Sequence, residues 1–274
     1  VTRRSLLLLL AASGCQRERA PVLQLSGALS LAARQSGLDD DSLSRASAEM
    51  ARLVEVARHE LATTKARSPA AVLSSLIFDA WGFTREVEDT SLRYVLLPSV
   101  LEHRRGGCVG LGSLFLGIAE GLGWAAAGVL MPGHFYVRVR EPSGTRNVEL
   151  LRAGEAMPNS WYDRRYPVSG GHAREYARPL KNSEVLGVVH FDVGNERRRQ
   201  RRYPEARAAL ERAALAFPDL AEAHASLGAV QQLLGDLRAA SESYVRARNA
   251  NPNLPGVVEN SSLLEAEWAA SVKR

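Results

Sequence analysis

The sequence predicts an α+β domain followed by an all-α helical array. Three patterns carry that expectation. Apolar residues recur at helical spacing from about residue 40 to residue 124. They then alternate at strand spacing between residues 126 and 151, and helices followed by a strand meander make an α+β unit. Beyond residue 180 the helical period returns, and the chain repeats itself at a shift of 34 residues.

Composition sets the frame. Hydrophobic residues make up 46% and charged residues 24%, ordinary proportions for a globular chain of 274 residues. The formal charge of +5 is local in origin, with Arg3 and Arg4 at one end and Arg197, Arg198, Arg199, Arg201 and Arg202 in one run. No aromatic residues interleave with that run, so nucleic acid is not an expected partner and the arginines read as a solvated helix face.

Residues 1–14 read as an export signal: Arg3-Arg4, a short apolar run from Leu6 to Ala12, then Ser13-Gly14 before Cys15. The run falls well short of the roughly 20 residues that a helix needs to span a bilayer. Ala12-Ser13-Gly14-Cys15 resembles the bacterial lipobox. That resemblance implies lipidation at Cys15 and a membrane anchor, and Gln16 after it favours the outer membrane, facing the periplasm. Cys15 and Cys108 are the two cysteines of the chain. With Cys15 lipidated, Cys108 is a lone thiol in an oxidising compartment, which directs attention to it.

Residues 15–38 read as a linker with a weak apolar stretch from Val22 to Leu31. Leu43, Met50, Leu53, Val54 and Leu61 then predict a helix begun by Asp39, Asp40 and Asp41. Ser68-Pro69 opens another helix that runs to Trp81-Gly82, with proline in its first turn. A further apolar stretch, Tyr94–Leu101, leads into Gly106-Gly107-Cys108. The glycine-rich helix after Cys108 must be held by close packing, because its helix propensity is poor. Strands are expected at Ala126–Met131, Phe135–Arg140 and Asn147–Leu151. In the second, His134, Tyr136 and Arg138 share one face, and in the third so do Asn147 and Glu149. The domain is thereby placed at residues 39–180.

A nucleophilic cysteine needs a favoured thiolate, a base, and a third group to hold the base's tautomer. Cys108 stands where a glycine turn opens a helix, a place that depresses a thiol pKa and offers N–H groups to an oxyanion. His134 begins a strand, and Glu149 or Asn147 on the next strand is placed to orient its ring. No metal-ligand spacing or phosphate-binding glycine loop is present, and no cofactor is expected.

The order of cysteine at a helix start, histidine opening a strand and acid on the following strand resembles the transglutaminase-like superfamily. Three blocks narrow the resemblance to its SirB-type branch: Leu76–Phe83, Val100–Gly106, and Pro132-Gly133-His134-Phe135-Tyr136-Val137-Arg138. The resemblance implies a papain/transglutaminase-like fold and acyl transfer at an amide through Cys108, His134 and Glu149. Cleavage and cross-linking of a peptide or protein share those steps. Proline commonly replaces the cysteine in that branch, whereas this chain keeps Cys108. Glu149 stands where the family usually has the shorter Asp.

The repeats occupy residues 187–220 and 221–254 within an array at 183–272. At a shift of 34, Gly194 meets Gly228, Ala206 meets Ala240, Leu210 meets Tyr244, Ala213 meets Ala247 and Pro218 meets Pro252. These small, large and terminal-proline positions resemble tetratricopeptide repeats, which implies a groove for a peptide or protein partner. A last helix, about Leu254–Val272, is expected to cap the array.

Overall fold

The computed structural model describes residues 24–64, 68–88, 90–169 and 174–272. Cys15 and the expected signal lie outside the described residues. Among the described residues no helix is long and apolar enough to cross a membrane.

The first element corrects the linker reading. Residues Gln24–Gln35 form helix α1, with Leu25, Leu29, Ala32 and Ala33 all but fully buried. Their spacing of four, three and one puts them on one helical stripe. Glu120 fixes its start, both carboxylate oxygens accepting from the Leu25 N–H at 3.0 Å.

Helix α2, Asp40–Thr63, starts where Asp39 accepts a 2.8 Å hydrogen bond from the Ser42 N–H. Its buried stripe is Leu43, Ala46, Met50, Leu53, Val54 and Ala57. Helix α3, Pro69–Ser75, is capped by Ser68 and widens into a π-helical turn over Leu76–Ala80. Short parallel strands β1 (Thr84–Arg85) and β2 (Arg105–Gly106) bracket helix α4, Leu97–His103. The chain leaves α4 through Arg104 in the left-handed region, φ 48°. The Arg104 guanidinium, bonded to the Trp81 carbonyl at 2.6 Å and to Glu49 at 3.0 Å, holds that turn.

Helix α5, Cys108–Gly121, is buried along almost its whole length. Its glycines allow this. A Cβ on Gly110 would lie 2.2 Å from the Tyr94 carbonyl oxygen, and one on Gly112 would lie 2.5 Å from the Phe135 ring. Gly110→Ala is therefore expected to destabilise the fold by about 3 kcal/mol, because a backbone carbonyl cannot rotate away as a side chain does. Urea denaturation checks this, and a loss below about 1 kcal/mol would mean that α5 is not clamped there.

Against α5 lies an antiparallel meander in the order β3 (Ala126–Met131), β4 (His134–Glu141), β5 (Gly144–Glu149), β6 (Glu155–Ala156). Phe135, Val137, Val139 and Val148 enter the main core, whereas Val129, Met131 and Tyr136 pack on the other face with Tyr162 of helix α6, Asn159–Arg165. The alternation expected of the second strand is thus realised. The third strand stops two residues short of Leu151, because residues Leu150–Arg152 turn into a 3-10 helix.

Helices α7 (Asn182–Arg199), α8 (Tyr203–Ala216), α9 (Ala221–Leu233) and α10 (Leu237–Ala250) follow, closed by α11 (Val257–Val272). The 34-residue shift has a counterpart in contacts. A Cβ on Gly194 would meet Leu210 at 2.5 Å, and one on Gly228 would meet Tyr244 at 2.9 Å. Helices α8 and α10 each end two residues before a proline, Pro218 and Pro252. Val257 and Leu264 of α11 cover Ala240, Tyr244 and Ala247.

The array does not stand apart. One continuous core joins Leu25 and Leu29 of α1 to Val185, Val188, Val189 and Val193 of α7 and on to Phe217. The arginine run, read as a solvated face, is partly a clamp. Arg197 bonds the Ser36 carbonyl at 2.7 Å, while Arg199 bonds Glu196 at 2.6 Å and reaches the Thr90 carbonyl at 3.4 Å.

Candidate active site

Cys108 is the first residue of α5, after Gly107 in extended backbone. The Gly107 N–H donates to the Tyr94 carbonyl at 2.9 Å, which ties the turn to the loop before α4. His134 is the first residue of β4, and strand register sets it opposite Met131. Cys108 and His134 both line a cavity of about 410 Å³, together with Tyr166, Val188, Phe191 and Asp192. That volume suits a small ligand or one side chain of a larger one.

His134 and Glu149 form a buried pair, with Nε2 2.7 Å from Oε2 and side-chain exposures of 2% and 1%. The other Glu149 oxygen accepts the Leu151 N–H at 2.9 Å, so the carboxylate also caps the turn that ends β5. The extra methylene of Glu relative to Asp is absorbed here, because two bonds in different directions fix the carboxylate. With Nε2 engaged, Nδ1 is the nitrogen left to serve the thiol. Tyr166 stacks on the imidazole at 4.2 Å and 8°, which holds the ring plane.

Asn147 does not take the orienting role. Register sets it opposite Arg138, four residues along β4 from His134 and so roughly 13 Å away at strand rise. Its amide bonds Arg138 at 2.8 Å, the Met157 carbonyl at 3.1 Å and Asn159 at 2.8 Å. It braces the sheet edge.

The thiol departs from expectation. Burial pushes Cys108 up to about 12, and the negative charges of Asp192 and then Glu149 push the same way. The Phe135 and Val109 N–H groups pull downward without prevailing. Desolvation acts on the whole thiolate charge, whereas the helix N-terminus offers only about half a unit charge. No hydrogen bond joins Cys108 to His134 among the described residues, and this setting favours the neutral thiol over the thiolate.

Two participants lay outside the sequence reading. Tyr166 sits four residues after Tyr162, a helical spacing that marks a shared face without saying what it covers. Asp192 is more distant still. It lies on α7, and its stripe of Val188, Phe191, Asn195 and Arg199 lines the same cavity. That spacing was legible, but not which surface the stripe would meet.

A search of curated proteins gave no match. Among solved structures the chain is similar to that titled "Crystal structure of menin reveals the binding site for Mixed Lineage Leukemia (MLL) protein", at 11% identity and a TM-score of 0.39. The alignment covers 84% of this chain and 66% of that one, just under two thirds of its length. A likeness this slight bears on neither fold nor function here. The family comparison is more direct. The model described as the transglutaminase-like superfamily matches residues 44–188, which span α2 through the first turns of α7. With more than half of its length matched, and with helices packed on a small antiparallel sheet, this chain belongs to the transglutaminase-like superfamily.

Proposed function

We propose that this protein performs cysteine-dependent acyl transfer or amide hydrolysis on a peptide or protein substrate. The observation that carries the reading is the buried His134–Glu149 pair at 2.7 Å on a cavity shared with Cys108. In the reaction the Cys108 sulfur attacks the substrate carbonyl carbon while its proton passes to His134. The N–H groups of the first turn of α5 receive the oxyanion. The tetrahedral adduct collapses, His134 protonates the departing amine, and an acyl-thioester remains. Water or a second amine, deprotonated by His134, then releases the product.

A neutral resting thiol means that proton transfer to His134 accompanies attack. Labelling of Cys108 by iodoacetamide is accordingly expected to be slow near pH 7 and to rise as pH climbs toward the thiol's range. A fast plateau already present at pH 6 would contradict this. The decisive test is trapping of the acyl-enzyme with an activated ester, read as a mass increment on Cys108. Wild type is expected to acylate, Cys108→Ala not at all, and His134→Ala about 100-fold or more slowly. Equal acylation of wild type and His134→Ala would remove the base from the mechanism.

The remaining readings belong to the same proposal. The sequence blocks around Phe78, His103 and His134 favour the SirB-type branch. The Gly194–Leu210 and Gly228–Tyr244 contacts support tetratricopeptide repeats over 187–220 and 221–254, which would dock a protein partner. The Ala12–Cys15 segment supports an exported lipoprotein anchored through Cys15 at the outer membrane. A second reading, a peptide-binding scaffold on an inherited fold, is favoured by the raised thiol. It predicts that Cys108→Ala leaves partner capture unchanged and that no acyl-enzyme forms.

A further inference from the structure

The outer face of the sheet carries a cavity of its own, and strand register explains why it exists. Along β4 the side chains of His134, Tyr136, Arg138 and Arg140 share one face. Register sets Arg138 between Ala127 of β3 and Asn147 of β5, and sets Arg140 opposite Thr145. The Arg140 N–H bonds the Ala125 carbonyl at 2.9 Å, which continues the pairing past the start of β3. Ala125 and Ala127 are too small to fill the space above that edge. Met157, Pro158 and Asn159 wall it beside β5, and Pro179, adjoining Val129, walls it beside β3. The result is a hollow of about 860 Å³ that shares no lining residue with the cavity at Cys108. Tyr136, 1% exposed and stacked on Tyr162 at 3.7 Å, closes the face between the two.

Arg138 and Arg140 both line this hollow, and among the described residues no carboxylate pairs with either. Arg138 is held by neutral acceptors alone. Its Nε donates to Asn147 Oδ1 at 2.8 Å, and its Nη2 donates to the Tyr136 hydroxyl at 2.8 Å and to Asn159 Oδ1 at 3.0 Å. Asn147 is itself fixed to Asn159 and to the Met157 carbonyl. The guanidinium is thus set in place with its charge uncompensated, and its Nη1 has no partner among the described residues. Arg140 is exposed, and its side chain makes no hydrogen bond or ion pair among the described residues. Glu141 also lines the hollow, but alternation turns its side chain to the other face of β4. There it accepts from the Ser68 hydroxyl and, at 3.0 Å, from the Ala70 N–H. Arg146 lies opposite Val139 and shares that other face. Asp163 of α6 acts on the Tyr136 phenol and pairs with neither arginine.

We propose that Arg138 and Arg140 form a binding site for an oxyanion, a carboxylate or phosphate group, on the outer face of the sheet. The site stands apart from the acyl-transfer reading, because none of its residues belongs to the Cys108 cavity. Arg138 is the fixed half. A planar guanidinium already oriented by three bonds loses little freedom when it meets a pair of oxygens. Arg140 is the adjustable half, two residues or about 7 Å along the strand, and its free side chain closes on the anion. The Thr145 hydroxyl and the Asn159 amide nitrogen, which donate to nothing among the described residues, add neutral donors to the lining. Because Arg140 is exposed, binding is screened by salt.

The test uses the full chain with N-acetyl-tetraglutamate amide, its uncharged tetraglutamine counterpart and inorganic phosphate. Binding is measured by calorimetry at low and high salt for wild type, Arg138→Met and Arg140→Gln. An anionic probe is expected to bind, to bind less well as salt rises, and to lose about tenfold or more in affinity in each variant. Arg140→Gln removes an exposed side chain with no partner to lose, so its effect is not a folding defect. Cys108→Ala is expected to bind as wild type does. Binding of tetraglutamate without phosphate identifies a carboxylate as the source of the anion, and phosphate without tetraglutamate identifies a phosphate. Failure of both anionic probes, equal binding of the tetraglutamine peptide, or undiminished binding in Arg140→Gln overturns the proposal. Anion binding in a chain that forms no acyl-enzyme at Cys108 would sink only the acyl-transfer reading.

Discussion

Glu149→Gln is expected to lower acyl transfer by about 10³- to 10⁴-fold while leaving the chain folded, the scale seen when a triad acid becomes its amide. The reason is geometric. Glu149 accepts two N–H bonds, from His134 at 2.7 Å and from Leu151 at 2.9 Å. A glutamine has one acceptor oxygen and one donor nitrogen, so it cannot satisfy both. If its oxygen faces Leu151, the amide donates to His134 Nε2, and the imidazole proton moves to Nδ1, where the base must be free. If its oxygen faces His134, the turn at Leu150–Arg152 loses its cap. Glu149→Asp keeps the charge but shortens the reach by about 1.5 Å, one C–C bond, and an intermediate loss is expected. The measurement is kcat/KM for ester acylation across pH. Activity of Glu149→Gln within tenfold of wild type would show that the carboxylate is structural only.

Phe135→Ala is expected to cost about 3–5 kcal/mol, a large part of the stability of an ordinary domain. Phe135 is 0% exposed and lies between α5 and β3. A Cβ on Gly112 or on Gly128 would come within 2.5 or 2.3 Å of its ring, so the ring fills the space that both glycines vacate. The loss should carry into function, since the residue beside it is His134 and its N–H points to the thiol of Cys108. A double-mutant cycle identifies the cause. Gly112→Ala overpacks the wild-type core but enters the vacated space in Phe135→Ala, so the pair should be less destabilised than the single losses summed. Additive losses would mean that ring and glycine do not share that space.

The bearing of each residue on its neighbours explains how much could be read in advance. Helix α2 was legible from its stripe and the acidic residues at its start, and β4 from its alternation, because both depend on contacts a few residues apart. Helix α1 carried a stripe too, Leu25, Leu29, Ala32 and Ala33, but small residues and Gly27 made it look like a linker. Only burial against α5 and α7 makes two alanines worth a helix. At the site, Cys108, His134 and Glu149 could be proposed from order and spacing. The choice between Glu149 and Asn147 needed the register of β4 on β5, which sets Asn147 against Arg138.

What the sequence by itself determined is the helices α2 and α5, the β3–β5 meander, the 34-residue repetition and the candidate nucleophile and base. These follow from local periodicity and from the fixed chemistry of each side chain. Tertiary structure alone decided the state of the thiol and the α7 wall of its cavity. Desolvation and through-space charge depend on what lies within a few ångströms, and for Cys108 that includes Asp192, a residue 84 positions away in the chain. No pattern of neighbours in sequence encodes such a field, because it exists only once α7 has docked against the α+β domain.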